Sequence, residues 1–165
     1  MNRILGAICI LALPTAATAQ DATARFVSSE GEEGGSATLT QTNDGMLIEI
    51  EVSELPANTW VALHVHETCS CDHSTDHESA GDHFTPTGAD HGYIPPNGPH
   101  AGDMPTQCVD DSGTLRGQVF NTYVTLNDAE NGIRGRALMI HASADDCATQ
   151  PAGDAGNRLA CAVFE

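Results

Sequence analysis

The stretch WVALHVH, residues 60–66, is β-prone and ends in two histidines separated by one valine. It follows the turn-forming residues LPAN at 55–58, so we expect a strand to begin near Trp60. Side chains alternate between the two faces of a strand, which places His64 and His66 on the same face, about 6.6–7 Å apart along the strand. Two imidazoles so placed can bind one metal ion.

The following part of the chain, residues 68–102, contains repeated glycines and prolines, so we expect a long loop there. Three histidines and one aspartate lie in or directly after this loop, at intervals of eight, nine and three residues: His83, His91, His100 and Asp103. A polar loop of this length in a compact domain needs something to order it, and a bound metal can do so. Three histidines and one carboxylate fill a tetrahedral zinc site and leave no open position.

His141, near the C-terminal end, forms a second candidate set with His64 and His66. A site made of imidazoles alone is preferred by copper among the divalent ions, and copper can take a fourth nitrogen in a tetragonal arrangement. Such a site can stay open to a substrate and change its oxidation state. The pattern therefore predicts two metal ions, one structural and one redox-active.

Seven short segments carry these residues and their neighbours: HVHE (64–67), SAGDHFTP (79–86), HG (91–92), HAGD (100–103), GRALMIH (135–141), ADD (144–146) and GNRLAC (156–161). In this order and with these intervals they resemble the Cu/Zn superoxide dismutase family, in its secreted bacterial type. The resemblance covers most of the chain after residue 25 and is strongest from residue 60 to residue 165.

The resemblance implies two ligand sets and a reaction. Copper would be bound by His64, His66, His83 and His141, and zinc by His83, His91, His100 and Asp103. His83 would thus bridge the two ions and would also donate a proton. The implied reaction is the dismutation of superoxide to oxygen and hydrogen peroxide by one-electron cycling of copper, while zinc has a structural role.

Two charged residues near the ligands also match the family. Asp145 would hydrogen-bond His64 and His91, and so fix the ring orientation of one copper ligand and one zinc ligand. Arg158 would attract and orient the anionic substrate beside copper, since a guanidinium is permanently charged and offers several donors in a plane. The alternative function is a copper-buffering protein on the same fold. Arg158 argues against it, because storage of a cation gains nothing from a neighbouring guanidinium.

Two further histidines lie in the acidic stretch CDHSTDHE, residues 71–78. Histidine-rich tracts can bind metal, so His73 and His77 could belong to an auxiliary metal-capture loop. Their spacing defines no ligand geometry, however, and we favour a simple polar insertion.

The first nineteen residues have the pattern of a secretory signal peptide, with Arg3, an apolar run at 4–13 and the small residues ATA at 17–19. The apolar run is too short to span a bilayer, and no later segment approaches the needed length. We therefore expect one enzyme domain at residues 20–165, either periplasmic or secreted.

Five cysteines follow the predicted signal peptide, namely Cys69, Cys71, Cys108, Cys147 and Cys161. An oxidising compartment would pair most of them. The resemblance implies a disulfide between the loop after the copper pair and Cys161, and Cys71 is the better match for its partner. A second bridge between Cys108 and Cys147 is a candidate. It would leave Cys69 free, exchanging with Cys71, or joining two chains.

The remaining sequence predicts short strands separated by turns, the pattern of an all-β antiparallel sandwich. The resemblance specifies an immunoglobulin-like Greek-key β-barrel of flattened shape with two long active-site loops. The predicted strands are 25–28, 37–41, 46–52, 60–66, 114–120, 122–126 and 136–141.

The chain is strongly acidic, with 23 acidic residues, six arginines and no lysine, for a net charge of −17. Nucleic acids and anionic membrane surfaces are therefore not expected as partners, whereas a homodimer is left open. The same charge repels superoxide, so the attractive field must come from the metals and Arg158. We expect weak electrostatic steering of the substrate.

Overall fold

The computed structural model describes residues 21–127 and 129–165, so the predicted signal peptide at 1–19 lies outside the described residues. The strands are β1 (Asp21–Ser28), β2 (Glu33–Gln41), β3 (Met46–Val52), β4 (Trp60–His66), β5 (Asp103–Cys108), β6 (Leu115–Asn121), β7 (Ala137–His141) and β8 (Arg158–Val163). Two short 3-10 helices, His73–Thr75 and Glu78–Ala80, lie between β4 and β5. No helix in the described ranges is long and apolar enough to cross a membrane.

All eight strands belong to one sheet, in the order β5-β4-β7-β8-β1-β2-β3-β6. Each hydrogen-bonded pair is antiparallel. The two outermost strands, β5 and β6, pack beside each other, so the sheet curls into a nearly closed barrel. The non-sequential neighbours β4 and β7, and β8 and β1, show the crossovers of a Greek key. The predicted all-β antiparallel fold is confirmed.

Strands with a clear pattern of β-prone or alternating apolar residues were predicted correctly, whereas short strands without such a pattern were not. The bounds 46–52 and 60–66 are those of β3 and β4. The predicted strand at 122–126 is wrong, because this segment forms only an isolated bridge from Thr125 to Gly132. Two strands were missed. β5 contains Pro105, which an edge strand tolerates, and β8 is a short apolar run without a clear period.

The barrel interior is filled mainly by aliphatic side chains, as the low aromatic content of 4% requires. Along β1 the buried residues alternate with exposed ones, and Ala22, Ala24 and Phe26 face inward. In β7, by contrast, all five residues are buried. Its outer face is covered because Ala137 and Met139 pack with Ala80 of the loop between β4 and β5.

A disulfide joins Cys71 to Cys161, which are 90 positions apart in sequence and have their Cα atoms 5.5 Å apart. It holds the loop after β4 against β8, and closing a loop of this length stabilises the fold by about 4–5 kcal/mol in the chain-entropy model. The candidate bridge between Cys108 and Cys147 is wrong, since both are free, as is Cys69. Cys108 Sγ instead lies 3.7 Å from the carbonyl of Val109, and Cys147 Sγ lies 3.9 Å from the carbonyl of Asp145.

Candidate metal centre

Three of the predicted ligands lie on the outer face of two neighbouring strands. Leu63 of β4 pairs with Ile140 of β7, and both side chains point into the apolar core. The alternating positions His64, His66 and His141 therefore face outward, where loops cover them. Local strand geometry thus places three histidines on one patch, outside the apolar core of the barrel.

His83 completes this first group. It forms an isolated bridge with His66, and donor atoms of His64, His66, His83 and His141 all lie within 4.8 Å of one another. All four side chains are buried. His64 Nδ1 and His83 Nε2 nevertheless have no hydrogen-bond partner in the protein. Buried polar atoms normally have partners, so these two nitrogens are candidate donors for a metal ion.

The protonation of the first group suits metal binding. Burial is the main cause that lowers the pKa of His66 to about 2, of His83 to about 4 and of His141 to about 3, and neighbouring histidines lower these pKa values further. The three imidazoles are therefore neutral at pH 7, which is the form that binds a metal ion.

The second group converges on one carboxylate oxygen at the start of β5. Asp103 Oδ1 lies 3.3 Å from His83 Nδ1, 3.1 Å from His91 Nδ1 and 3.5 Å from His100 Nδ1. The other oxygen, Oδ2, accepts hydrogen bonds from the backbone N–H of Gly92 at 2.8 Å and of His100 at 3.0 Å. Three imidazole nitrogens and one carboxylate oxygen are the donors of a tetrahedral zinc site.

His64 also comes close to this second group, with its donor within 4.8 Å of those of His83, His91 and Asp103. We consider His100 the better fourth ligand, because its Nδ1 is buried and has no hydrogen-bond partner. His64 Nε2, by contrast, is already 2.7 Å from a carboxylate oxygen of Asp145.

The pKa values of Asp103 and His91 in the second group are set by opposing effects of burial and of the contacts between them. Burial alone would raise the pKa of Asp103, but the neighbouring imidazoles of His100, His83 and His91 hold that pKa well below its usual range. Burial alone would lower the pKa of His91, but hydrogen bonds to Asp103 and Asp145 raise it to about 9. Metal binding at His91 at neutral pH must therefore release a proton.

Asp145 connects the two groups. Its Oδ2 lies 2.7 Å from His64 Nε2 and its Oδ1 lies 3.0 Å from His91 Nε2. Gly153 makes room for this contact, since a Cβ there would lie 2.0 Å from Asp145 Oδ1 and its φ is +66°. Gly153 was not predicted as a site residue. Its position in the glycine-rich stretch PAGDAG, residues 151–156, was the available signal.

Arg158 lines a cavity of about 330 Å³ together with His66, His83 and His141. Its Nη1 donates to the carbonyl of His77 at 2.6 Å and its Nη2 to the carbonyl of Gly81 at 2.8 Å. The guanidinium is thus held beside the first group. A small anion that enters this cavity meets the three imidazoles and the positive charge together.

The loop after β4, whose carbonyl groups bind the Arg158 side chain, also contains the two additional histidines. His73 is exposed and His77 is fully buried, and neither belongs to the two donor groups. The prediction of a simple polar insertion is therefore wrong at His77, because its ring is buried and its carbonyl accepts a hydrogen bond from Arg158. Cys71, which forms the disulfide with Cys161, lies in the same loop.

Comparison with known proteins agrees with this geometry. The sequence profile of the family described as copper/zinc superoxide dismutase (SODC) matches residues 33–164. Superoxide dismutase [Cu-Zn] 1 of Aquifex aeolicus is 46% identical over 146 residues, 86% of each chain, and superoxide dismutase [Cu-Zn] 2 of the same organism is 43% identical over 99% of each chain.

Two solved structures share the fold. A SOD-like protein from Bacillus subtilis is 31% identical with a TM-score of 0.81, over 85% of this chain and 95% of that one. The Cu/Zn superoxide dismutase from Brucella abortus is 25% identical with a TM-score of 0.73, over 88% and 100% of the two chains. The chain belongs to the Cu/Zn superoxide dismutase family.

Proposed function

We propose that the chain catalyses the dismutation of superoxide to oxygen and hydrogen peroxide. The proposed copper ligands are His64, His66, His83 and His141, and the proposed zinc ligands are His83, His91, His100 and Asp103. The observation that carries the proposal is the position of His83 between two buried donor groups. Its Nδ1 faces Asp103, while its Nε2 has no protein partner. Membership of the family supports both metals and the substrate.

The residues divide the work in a way that follows from their positions. Copper supplies reversible one-electron chemistry, and zinc, which has no accessible redox change, orders the loop. His83 Nε2, whenever it is not bound to copper, would hold a proton and pass it to the reduced substrate, because Nδ1 is directed to the zinc donors. Arg158 orients the anion in the cavity, and Asp145 fixes the rings of His64 and His91.

We also propose that the protein works in the periplasm or is secreted. The disulfide between Cys71 and Cys161 supports this, since disulfides persist in oxidising compartments. Superoxide is the expected partner. Given the net charge of −17, binding to nucleic acid or anionic membranes is not expected, and self-association into a homodimer stays a prediction.

The proposal is tested by following superoxide decay with protein that carries both metals and with protein that carries zinc alone. Turnover should require copper, because the zinc set offers no redox chemistry. Equal and negligible activity in both preparations, with one copper bound per chain, would favour a copper-buffering protein instead.

We expect the rate of superoxide capture to fall only slightly as salt rises. Among the described residues that line the cavity, Arg158 is the one arginine and Asp82 the one carboxylate, so their long-range fields partly cancel. Replacing Asp82 by asparagine should raise the rate a few-fold, on the order of the Coulomb energy of one nearby charge in water. The salt dependence should become steeper at the same time.

Asp44→Asn is the matched control, because it changes the net charge equally on an exposed turn between β2 and β3. The measurement is the decay rate at several ionic strengths. An unmodified protein whose rate drops steeply with salt, or equal effects of the two substitutions, would contradict this prediction.

A further inference from the structure

The side chain of Gln150 holds the backbone of His91 from both sides. Its Oε1 accepts the N–H of His91 at 2.8 Å, and its Nε2 donates to the carbonyl of His91 at 2.8 Å. Nε2 also donates to the carbonyl of Ala148 at 3.1 Å, which fixes the amide within its own loop. One side chain, 59 positions away in sequence, thus satisfies both main-chain polar groups of a candidate zinc ligand.

Gln150 belongs to the loop between β7 and β8, residues 142–157, which we call the channel loop. This loop meets the segment after His91 at further points. The N–H of Ile94 donates to the carbonyl of Cys147 at 3.1 Å. The same carbonyl lies so close to Gly92 that a Cβ there would be 2.1 Å from it. The two segments are therefore joined through main-chain contacts.

The two polar side chains of the channel loop that reach His91 act on different parts of it. Asp145 contacts the ring at Nε2, at 3.0 Å, and so fixes how the ring is rotated. Gln150 contacts only the main chain, and so fixes where the Cα of His91 lies. With its ring and main chain held in this way, His91 has its Nδ1 3.1 Å from Asp103 Oδ1.

On the basis of the zinc site proposed above, we propose that Gln150 is a positioning residue for zinc. It holds the backbone of His91 in the position that ligation requires, and it thereby couples zinc binding to the channel loop, in which Pro151 and Ala152 line the cavity beside Arg158. Partners one step beyond a ligand typically contribute 10–100-fold to metal affinity. Gln150 is expected to act in this range without contacting the metal.

The test measures zinc affinity of copper-loaded protein by competition with a chelating dye. Gln150→Met keeps the side-chain length and removes all three hydrogen bonds of the amide, so zinc affinity should fall by about tenfold or more. Gln150→Glu keeps the acceptor for the N–H of His91 but places a carboxylate oxygen against the carbonyls of His91 and Ala148, so it should also lower zinc affinity. Gln118→Met is the control, since Gln118 is an exposed residue of β6 whose side chain donates to Glu49 of β3 and to no proposed ligand.

A second readout separates positioning from general destabilisation. With Co²⁺ in the zinc position, the visible absorption bands of the ion should shift in Gln150→Met and stay unchanged in Gln118→Met. If Gln150→Met binds zinc within twofold of the unmodified protein with unchanged cobalt bands, the positioning role is wrong, although the zinc site stands. If the unmodified protein binds no zinc in this position, the proposed function fails instead.

Discussion

Replacing His141 by alanine should abolish superoxide dismutation and leave zinc bound. His141 belongs to the first donor group and is not one of the proposed zinc ligands, of which it neighbours only the shared His83. Its Nε2 lies 3.3 Å from His66 Nε2, while Nδ1 lies 3.3 Å from the carbonyl of Gly156. The substitution therefore removes one proposed copper ligand and leaves the proposed zinc ligands unchanged.

The expected loss of turnover exceeds about a hundredfold, because even partners beyond the ligands cost 10–100-fold when removed. Superoxide decay and the copper and zinc content per chain are the measurements. His73→Ala is the control, since His73 is exposed, lies outside both donor groups and should have the activity of the unmodified protein. A His141→Ala protein that retains full activity would show that the first group is not the redox centre.

Replacing Arg158 by alanine should lower kcat/KM for superoxide by about ten- to a hundredfold, with both metals still bound. Arg158 is the one arginine among the described residues that line the cavity. Arg158 acts by orienting the anion inside the cavity, and a misplaced reactant can cost about a hundredfold in rate. The acidic surface, with a net charge of −17, offers little to replace it. Arg158→Lys should recover part of the rate, because a lysine restores the charge but not the planar pair of donors.

Arg116→Ala is the matched control for Arg158→Ala. Arg116 is exposed on β6 and pairs with Glu51 at 3.0 Å, so its removal changes the net charge equally without altering the cavity. The measurement is the initial rate of superoxide decay at several substrate concentrations, with metal content determined on the same samples. Equal rates for the two alanine variants would reject a substrate-orienting role for Arg158.

The parts of the fold that sequence alone could predict are those with a clear local pattern. β3 and β4 alternate strictly or carry β-prone residues, and their bounds were predicted correctly. β5 was missed because it is a short edge strand that contains Pro105 and is mostly polar, with Met104 as its buried apolar residue. The segment 122–126 was wrongly predicted as a strand because Asn121 turns the chain by accepting the N–H of Tyr123 at 2.7 Å.

Part of the candidate site could likewise be predicted from the sequence, and part could not. Residue type and spacing determined which histidines could form a site, because a strand places alternate residues on one face whatever the rest of the chain does. Family motifs then indicated Asp145 and Arg158. Only the tertiary structure decided that Gln150 holds the backbone of His91 and that the carbonyl of His77 anchors Arg158. These contacts join residues 59 and 81 positions apart. One partner in each is a main-chain atom, which every residue type has, so the sequence cannot predict them.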